Sequence, residues 1–373
     1  MPPPSSDPIR ANPPAAAVPP VARDDMDDGP ELQDPAMAPV LREALAAIAE
    51  ILLPVYTAAD QRAIRSQRRH RLITTLAAAT GTVAVLFGIG ELASHSLGAE
   101  MRRWMVHVEA LFLLACLASV VLGLTAALQT GWLDERHRAE RCRSLKFRLL
   151  ARPELWGGRL GEWRAMLRAE AAAIAAAPSG TAKAAAHSDP ELDPPPENPG
   201  GAVAPAELRV LADYYLAKRL RFQRQFYASR VARNDERDRR LRRLPPLCFF
   251  LSVAAALGNY LLGMFQSGPP HHGAELTTVE TLGLLLLVFS AAVPVVGAGI
   301  RTYRMAYEFA RSASLFQAKI HALDHFEQLL QHDLAAPAPE GATVLRRLWQ
   351  CENFFEHEHH EWLRLMLEAE WFG

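Results

Sequence analysis

Residues 281–300 read TLGLLLLVFSAAVPVVGAGI, a run without a single Asp, Glu, Lys or Arg. Three more stretches share that character: 72–90 (LITTLAAATGTVAVLFGIG), 110–129 (ALFLLACLASVVLGLTAALQ) and 244–267 (LPPLCFFLSVAAALGNYLLGMFQS). A helix crossing a hydrocarbon layer of about 30 Å needs roughly 20 predominantly apolar residues. Each stretch meets that length, and a buried helix of a soluble protein rarely stays uncharged for so long. The reading predicts an all-α integral membrane protein built as two tandem two-span helical hairpins with long cytosolic helical extensions.

Lys and Arg near the ends of spans set orientation, because they favour the cytosolic side. Arg62, Arg65, Arg68, Arg69 and Arg71 precede the first stretch, and Arg136, Arg138, Arg141, Arg143, Lys146 and Arg148 follow the second. Arg237, Arg239, Arg240, Arg242 and Arg243 precede the third, and Arg301 and Arg304 follow the fourth. Residues 268–280 contain no Lys or Arg, and 91–105 contain only Arg102 and Arg103, diluted by Glu91 and Glu100. This asymmetry predicts a multi-pass protein of a bacterial inner membrane with both termini in the cytoplasm.

An offset of 171 residues superposes the halves of the chain. Tyr56 falls on Tyr227, Arg62 on Arg233, Arg68 and Arg69 on Arg239 and Arg240, Arg71 on Arg242, and Glu109 on Glu280. Each half closes on a Trp/Glu segment, Glu162-Trp163 with Ala169-Glu170 in one and Glu361-Trp362 with Ala369-Glu370 in the other. Both copies start from the cytosol, so the repeat is parallel, unlike the inverted repeat common in secondary transporters. The expected organisation is a disordered tail over 1–37 and a first two-span unit over 38–176, with spans at about 72–92 and 106–130. A Pro/Ala/Gly linker over 177–206 leads to a second unit over 207–373, with spans at about 244–267 and 280–300. The tail is rich in Pro, Ala and Asp and offers too little apolar surface to offset its chain entropy.

The net charge of −1 points to no partner by itself, and no nucleic-acid partner is expected. Four cysteines, two of them (Cys116 and Cys248) inside apolar stretches, make neither a disulfide framework nor a zinc site. Phosphate loop, nucleophile elbow, paired-Cys motif and dinucleotide fingerprint are all missing from the sequence. Catalysis and a cofactor are therefore not expected. The run Glu356-His357-Glu358-His359-His360-Glu361 lacks metalloprotease spacing and reads as a solvated helix face. His271-His272 reads as an exposed loop, with a local proton sensor as the sharper alternative.

Residues 207–243 have no Pro or Gly and carry twelve Lys/Arg against five Asp/Glu. Leu208, Leu211, Tyr215, Leu220, Phe222 and Phe226 give this segment a broken apolar stripe at helical spacing. The plain reading is a helix continuing into the third span, with Arg219, Arg224, Arg239, Arg240, Arg242 and Arg243 at lipid headgroups or on a partner. The sharper reading is a surface for an anionic ligand or nucleic acid. Glu109 and Glu280 lie just inside the predicted bilayer boundary. An acid there either caps a helix at the interface or lines a pore or an inter-helix contact. Small residues such as Gly81, Ala84, Gly88, Gly297 and Gly299 permit close helix approach and suit a bundle or a homo-oligomer.

Tyr215-Leu216-Ala217-Lys218-Arg219-Leu220, then Gln223, Phe226-Tyr227, Ala232 and Asn234, lead into a two-span hairpin. That sequence resembles the SLATT group of bacterial two-span proteins, named for association with nucleotide-second-messenger synthases (SMODS) and nucleotide-sensing SLOG domains. The Glu352…Glu361-Trp362…Glu370 end is similar to their C-terminal helix. The resemblance covers 207–372 and extends to the first unit in outline. It implies a membrane effector of antiphage or intergenomic conflict that oligomerises, perforates or perturbs the membrane, and answers a nucleotide-signal sensor protein. The alternative from the residues is a membrane-anchored scaffold that recruits cytosolic partners without changing permeability.

Overall fold

The computed structural model describes residues 25–93, 99–125, 128–188, 203–265, 278–307, 309–336 and 340–368, which are helical apart from short connections. The elements are α1 (Gly29–Leu32), α2 (Pro39–Ile51), α3 (Leu53–Ala93), α4 (Ala99–Thr125), α5 (Leu128–Leu150), α6 (Pro153–Trp156), α7 (Leu160–Ala176) and α8 (Thr181–His187). After these come α9 (Pro205–Tyr215), a π-helical turn (Leu216–Arg221), α10 (Phe222–Phe265), α11 (Thr278–Tyr307), α12 (Phe309–Ala335) and α13 (Gly341–Glu368). Proline opens α1, α2, α6 and α9, where its missing N–H costs nothing and its fixed φ suits the first turn. α5 stops because Arg152 is extended ahead of Pro153. Its last carbonyls are not left orphaned: the Trp163 and Trp156 indoles donate to Leu149 O at 2.8 Å and Leu150 O at 2.9 Å.

Four helices, drawn from α3, α4, α10 and α11, are long and apolar enough to cross a membrane. α3 and α4 lie antiparallel, since the facing pairs run Ala77 with Cys116, Gly88 with Glu109 and Gly90 with Met105. α10 and α11 do the same through Cys248 with Gly297, Ser252 with Ser290 and Asn259 with Gly283. α11 also packs on α3. At that crossing a Cβ on Gly299 would sit 2.7 Å from Thr82 Oγ1, so a larger residue would force Thr82 to move. Large apolar side chains here point outward: Phe250 is 71% exposed and Leu114 64%.

The polar ends of α3 and α10 enter a helical body of the opposite character. Leu41, Leu45 and Ile48 of α2, Phe147 and Leu150 of α5, Trp163 and Leu167 of α7, Leu208 and Leu211 of α9, and Leu345, Leu348 and Trp349 of α13 form one buried core. α5 packs along α3 and α12 along α10, so the order of long helix, apolar helix and returning helix recurs in the two halves. The closing Trp segments diverge. Trp163 is fully buried, whereas Trp362 is only partly covered and lines a cavity. Ala369-Glu370 lie outside the described residues.

Two expectations need correction. The tail expected through residue 37 is ordered from Asp25, because its acids fill cation sites inside the body: Asp25 is 0% exposed and Lys146 Nζ reaches both Asp28 carboxylate oxygens at 2.7 and 2.9 Å. Composition concealed this, since a Pro/Ala-rich chain with few apolar residues can still be held by buried charge. The linker expected over 177–206 likewise begins folded, with α8 held at both ends. Asp134 accepts from Gly180 N (2.7 Å) and Ala182 N (2.9 Å) at the start, and Arg364 Nε donates to Ala186 O (2.6 Å) at the finish. Residues 1–24 and 189–202, and His271-His272, lie outside the described residues.

Candidate functional site

A cavity of about 410 Å³ opens where α3, α5, α10, α12 and α13 converge. Its walls begin next to the apolar helices: Arg71 immediately precedes the apolar stretch of α3, and Trp132 follows that of α4 by one turn. The lining combines Arg71, Arg136, Arg141, Arg219, Arg230, Arg237 and Lys319 with the aromatic rings of Trp132, Phe226, Tyr227, Phe316, Phe355 and Trp362. Its volume lies within the usual range for small-molecule pockets.

The acids of the lining are already engaged. Glu140 receives Arg143 Nη1 at 2.8 Å and also pairs with Arg136, and Arg136 reaches Asp60 at 3.4 Å. Burial alone would raise the Glu140 pKa, but these two guanidiniums outweigh it and hold the carboxyl well below the usual range. Glu356 pairs with Arg148, and Glu358 with Lys319 at 2.6 Å. Across the cavity, His137 Nδ1 lies 3.0 Å from His359 Nε2. Burial, then repulsion by Arg141 and His360, lowers the His137 pKa to about 4, so the imidazole is neutral near pH 7.

Behind the cavity lies a buried charge network. Arg219 donates from Nε and Nη2 to the two oxygens of Glu352 at 2.9 and 2.8 Å, and Tyr215 Oη donates to the same carboxylate at 2.7 Å. The guanidinium lies over Phe355, 4.2 Å from the ring centroid, and over Phe147 at 4.9 Å. Arg143 Nε reaches Asp25 at 2.9 Å and its Nη2 donates to Tyr56 Oη at 2.5 Å, while Tyr214 Oη donates to Asp28 at 2.6 Å. The π-helical turn places Lys218, Arg219 and Leu220 together on the buried side. Such turns often mark functional sites because they shift the register of a helix face.

The sequence-predicted residues therefore separate into three places. Arg219 is not a membrane-surface residue: it is 2% exposed, because a stripe that also carries Tyr215 and Leu220 must turn inward, and Glu352 compensates the charge it carries there. Arg224 pairs with Asp324 of α12 at 2.5 Å. Arg239, Arg240, Arg242 and Arg243 are exposed just before the apolar part of α10, where Arg239 and Arg240 also pair with Asp235 and Glu236 one turn back. Glu109 rests against Gly88, its Oε1 3.0 Å from where a Cβ would stand.

Glu280 lines a groove with Asn259, Tyr260 and Gly283 at the far end of α10 and α11. The offset of 171 carries Gly88 to Asn259 as it carries Glu109 to Glu280; Gly88 and Glu109 are in contact, and Asn259 and Glu280 line one groove. Neither acid touches the cavity. His357 is exposed and the acids around it are ion-paired, and no group of three or more metal-ligating side chains occurs among the described residues. What sequence reasoning missed is the convergence of His70, Arg71, His137, Arg141 and Arg230 on one space. Its only local signal is that each lies within a few turns of an apolar stretch.

Searches of protein-family models, of curated proteins and of solved structures find no match for this chain.

Proposed function

We propose that the protein is a multi-pass membrane effector of two tandem two-span hairpins, in which a cytosolic helical body receives a signal and the spans alter membrane permeability. The observation that carries this reading is the continuity of α3 and α10. They run for 41 and 44 residues, each lining the polar cavity at one end and joining the apolar layer at the other. At about 1.5 Å per residue each reaches roughly 60 Å, enough for body and bilayer together. A displacement of either helix at the cavity is thereby felt in the layer.

The two helices differ at the junction. α3 crosses it without proline, whereas α10 carries Pro245 and Pro246, which remove two backbone donors and let the helix bend. Gly297 of α11 packs against Pro245 and Cys248 there. One helix acts as a strut and the other as a jointed arm. The clusters of arginine beside all four apolar stretches support insertion with both termini in the cytosol. The resemblance of 207–372 to SLATT proteins supports a role in bacterial conflict, with homo-oligomerisation and a nucleotide-signal sensor as partner.

Induced expression in bacteria carrying a membrane-potential dye should give depolarisation, alone or on phage challenge. Glu109→Gln with Glu280→Gln should reduce the flux at normal expression if these acids line its path. A membrane that stays fully polarised under challenge would reject the effector reading in favour of a scaffold that recruits cytosolic partners.

A further inference from the structure

We infer that the cavity between α3, α5, α10, α12 and α13 binds a phosphate-bearing molecule, whose anionic group sits among Arg71, Arg230 and Arg237. The argument begins with charge balance. The carboxylates of the lining are bonded to Arg136, Arg143, Arg148 and Lys319. Among the described residues no carboxylate lies within ion-pair distance of Arg141, Arg230 or Arg237.

Arg230 is the sharpest case. Its Nε is buried without a hydrogen-bond acceptor, and its guanidinium lies 5.0 Å from the centroid of Phe226. Burial, then the nearby charges of Arg233, Arg71, Arg136 and Arg237, lowers its affinity for its own proton. A buried donor without an acceptor costs free energy, as does the repulsion between Arg230 and Arg237, and one anion relieves both.

Phosphate fits better than a carboxylate. Several guanidiniums line one cavity, and phosphate offers three or more oxygens in the geometry that guanidinium forks bind bidentately. The size of the cavity suits a small molecule or a lipid headgroup and excludes a polynucleotide. Trp132 and Phe226 supply faces for the uncharged part of that ligand. Two sources share this chemistry. One is a soluble organic phosphate; the other is an anionic phospholipid headgroup, which Arg71 meets where the apolar stretch begins. The lipid source rests on insertion of the four apolar helices. The phosphate site itself rests on neither insertion nor permeability change.

The test uses the full chain reconstituted in phosphatidylcholine nanodiscs, with thermal unfolding as readout. One arm titrates sodium pyrophosphate against sodium chloride at matched ionic strength. The other arm replaces part of the phosphatidylcholine with phosphatidylglycerol. A ligand that binds only the folded state raises the midpoint with concentration, so a rise in the first arm identifies a soluble ligand and a rise in the second a lipid. Arg230→Gln should raise the half-saturating concentration about tenfold, the loss expected for one charge-assisted hydrogen bond. Arg237→Gln should act in the same direction, and Arg159→Gln, remote and exposed, should leave the constant unchanged.

Without ligand, Arg230→Gln should unfold no lower than wild type, because it removes a repelled charge. No shift in either arm, equal shifts with chloride, or wild-type binding by both cavity variants would overturn the assignment. Binding with an unaltered membrane potential would instead reject only the permeability reading.

Discussion

The apolar helices and the helical body obey opposite rules. In the apolar layer Phe250 and Leu114 face outward, and the contacts between helices are made by Gly81, Gly88, Gly283, Gly297 and Gly299. In the body the leucines and tryptophans are inside, and so are charges: Asp25, Asp28, Lys146, Arg219 and Glu352 are all buried. The same chain thus exposes hydrocarbon in one region and buries carboxylates in the other. The first pattern suits apolar surroundings and the second suits water. Where the surroundings are apolar, an outward leucine costs nothing and close packing of small residues holds the helices together. Where they are aqueous, burying leucine drives folding, and each buried charge needs a partner.

The sharpest way to break that contrast is to remove one buried partner. Glu352→Ala leaves Arg219 and Tyr215 facing an empty site and should destabilise the body by about 3–5 kcal/mol, read as a lowered unfolding midpoint of the full chain in detergent. A midpoint matching wild type would mean that Asp25, already 3.4 Å from Arg219, takes over the pairing.

A matched truncation separates the regions directly. Leu345→Ala in α13, at 1% exposure, should cost about 2–5 kcal/mol, whereas Leu114→Ala in α4 should stay within about 0.5 kcal/mol. Equal losses would show that Leu114 is covered by protein.

Acid provides a third probe. His137 is neutral in the fold, with its pKa lowered from 6.5 to about 4 chiefly by burial, and burial lowers His359 as well. Between these values the unfolded chain takes up a proton that the native state refuses. The stabilisation is therefore fully present above pH 6.5 and is lost as pH falls toward 4, on the order of 3 kcal/mol for His137 alone. His137→Gln should flatten unfolding profiles across that window; an unchanged slope would place the proton uptake elsewhere. The smallest effect is expected at α8. Asp134→Ala removes the acceptor for Gly180 and Ala182 and should cost about 1 kcal/mol, read as faster amide exchange over 180–188.

Helix class and the four apolar segments were legible in the sequence, because exclusion of charge over about twenty positions is a property of the chain alone. The correspondence between the halves was only partly visible in the chain. Glu109 and Glu280 were matched by offset, and that the first lies against Gly88 and the second shares a groove with Asn259 appears only in space. The site was less legible still. Arg219 reads as one of twelve basic residues on a helix, and its place four residues after Tyr215 gives its side of the helix but not its partner. Its environment comes from Glu352, 133 positions away, and from a π-helical turn that periodicity does not announce.

The sequence by itself determined that this protein is helical and that four of its helices suit a membrane, since hydrophobic length and charge placement are one-dimensional quantities. Only the tertiary structure decided that Asp25 and Asp28 belong to the core, that α8 is held between Asp134 and Arg364, and that a cavity rich in arginine forms where five helices converge. The physical reason is that the cost of burying a charge depends on its partner. Here those partners sit more than a hundred residues away, as Lys146 does from Asp28.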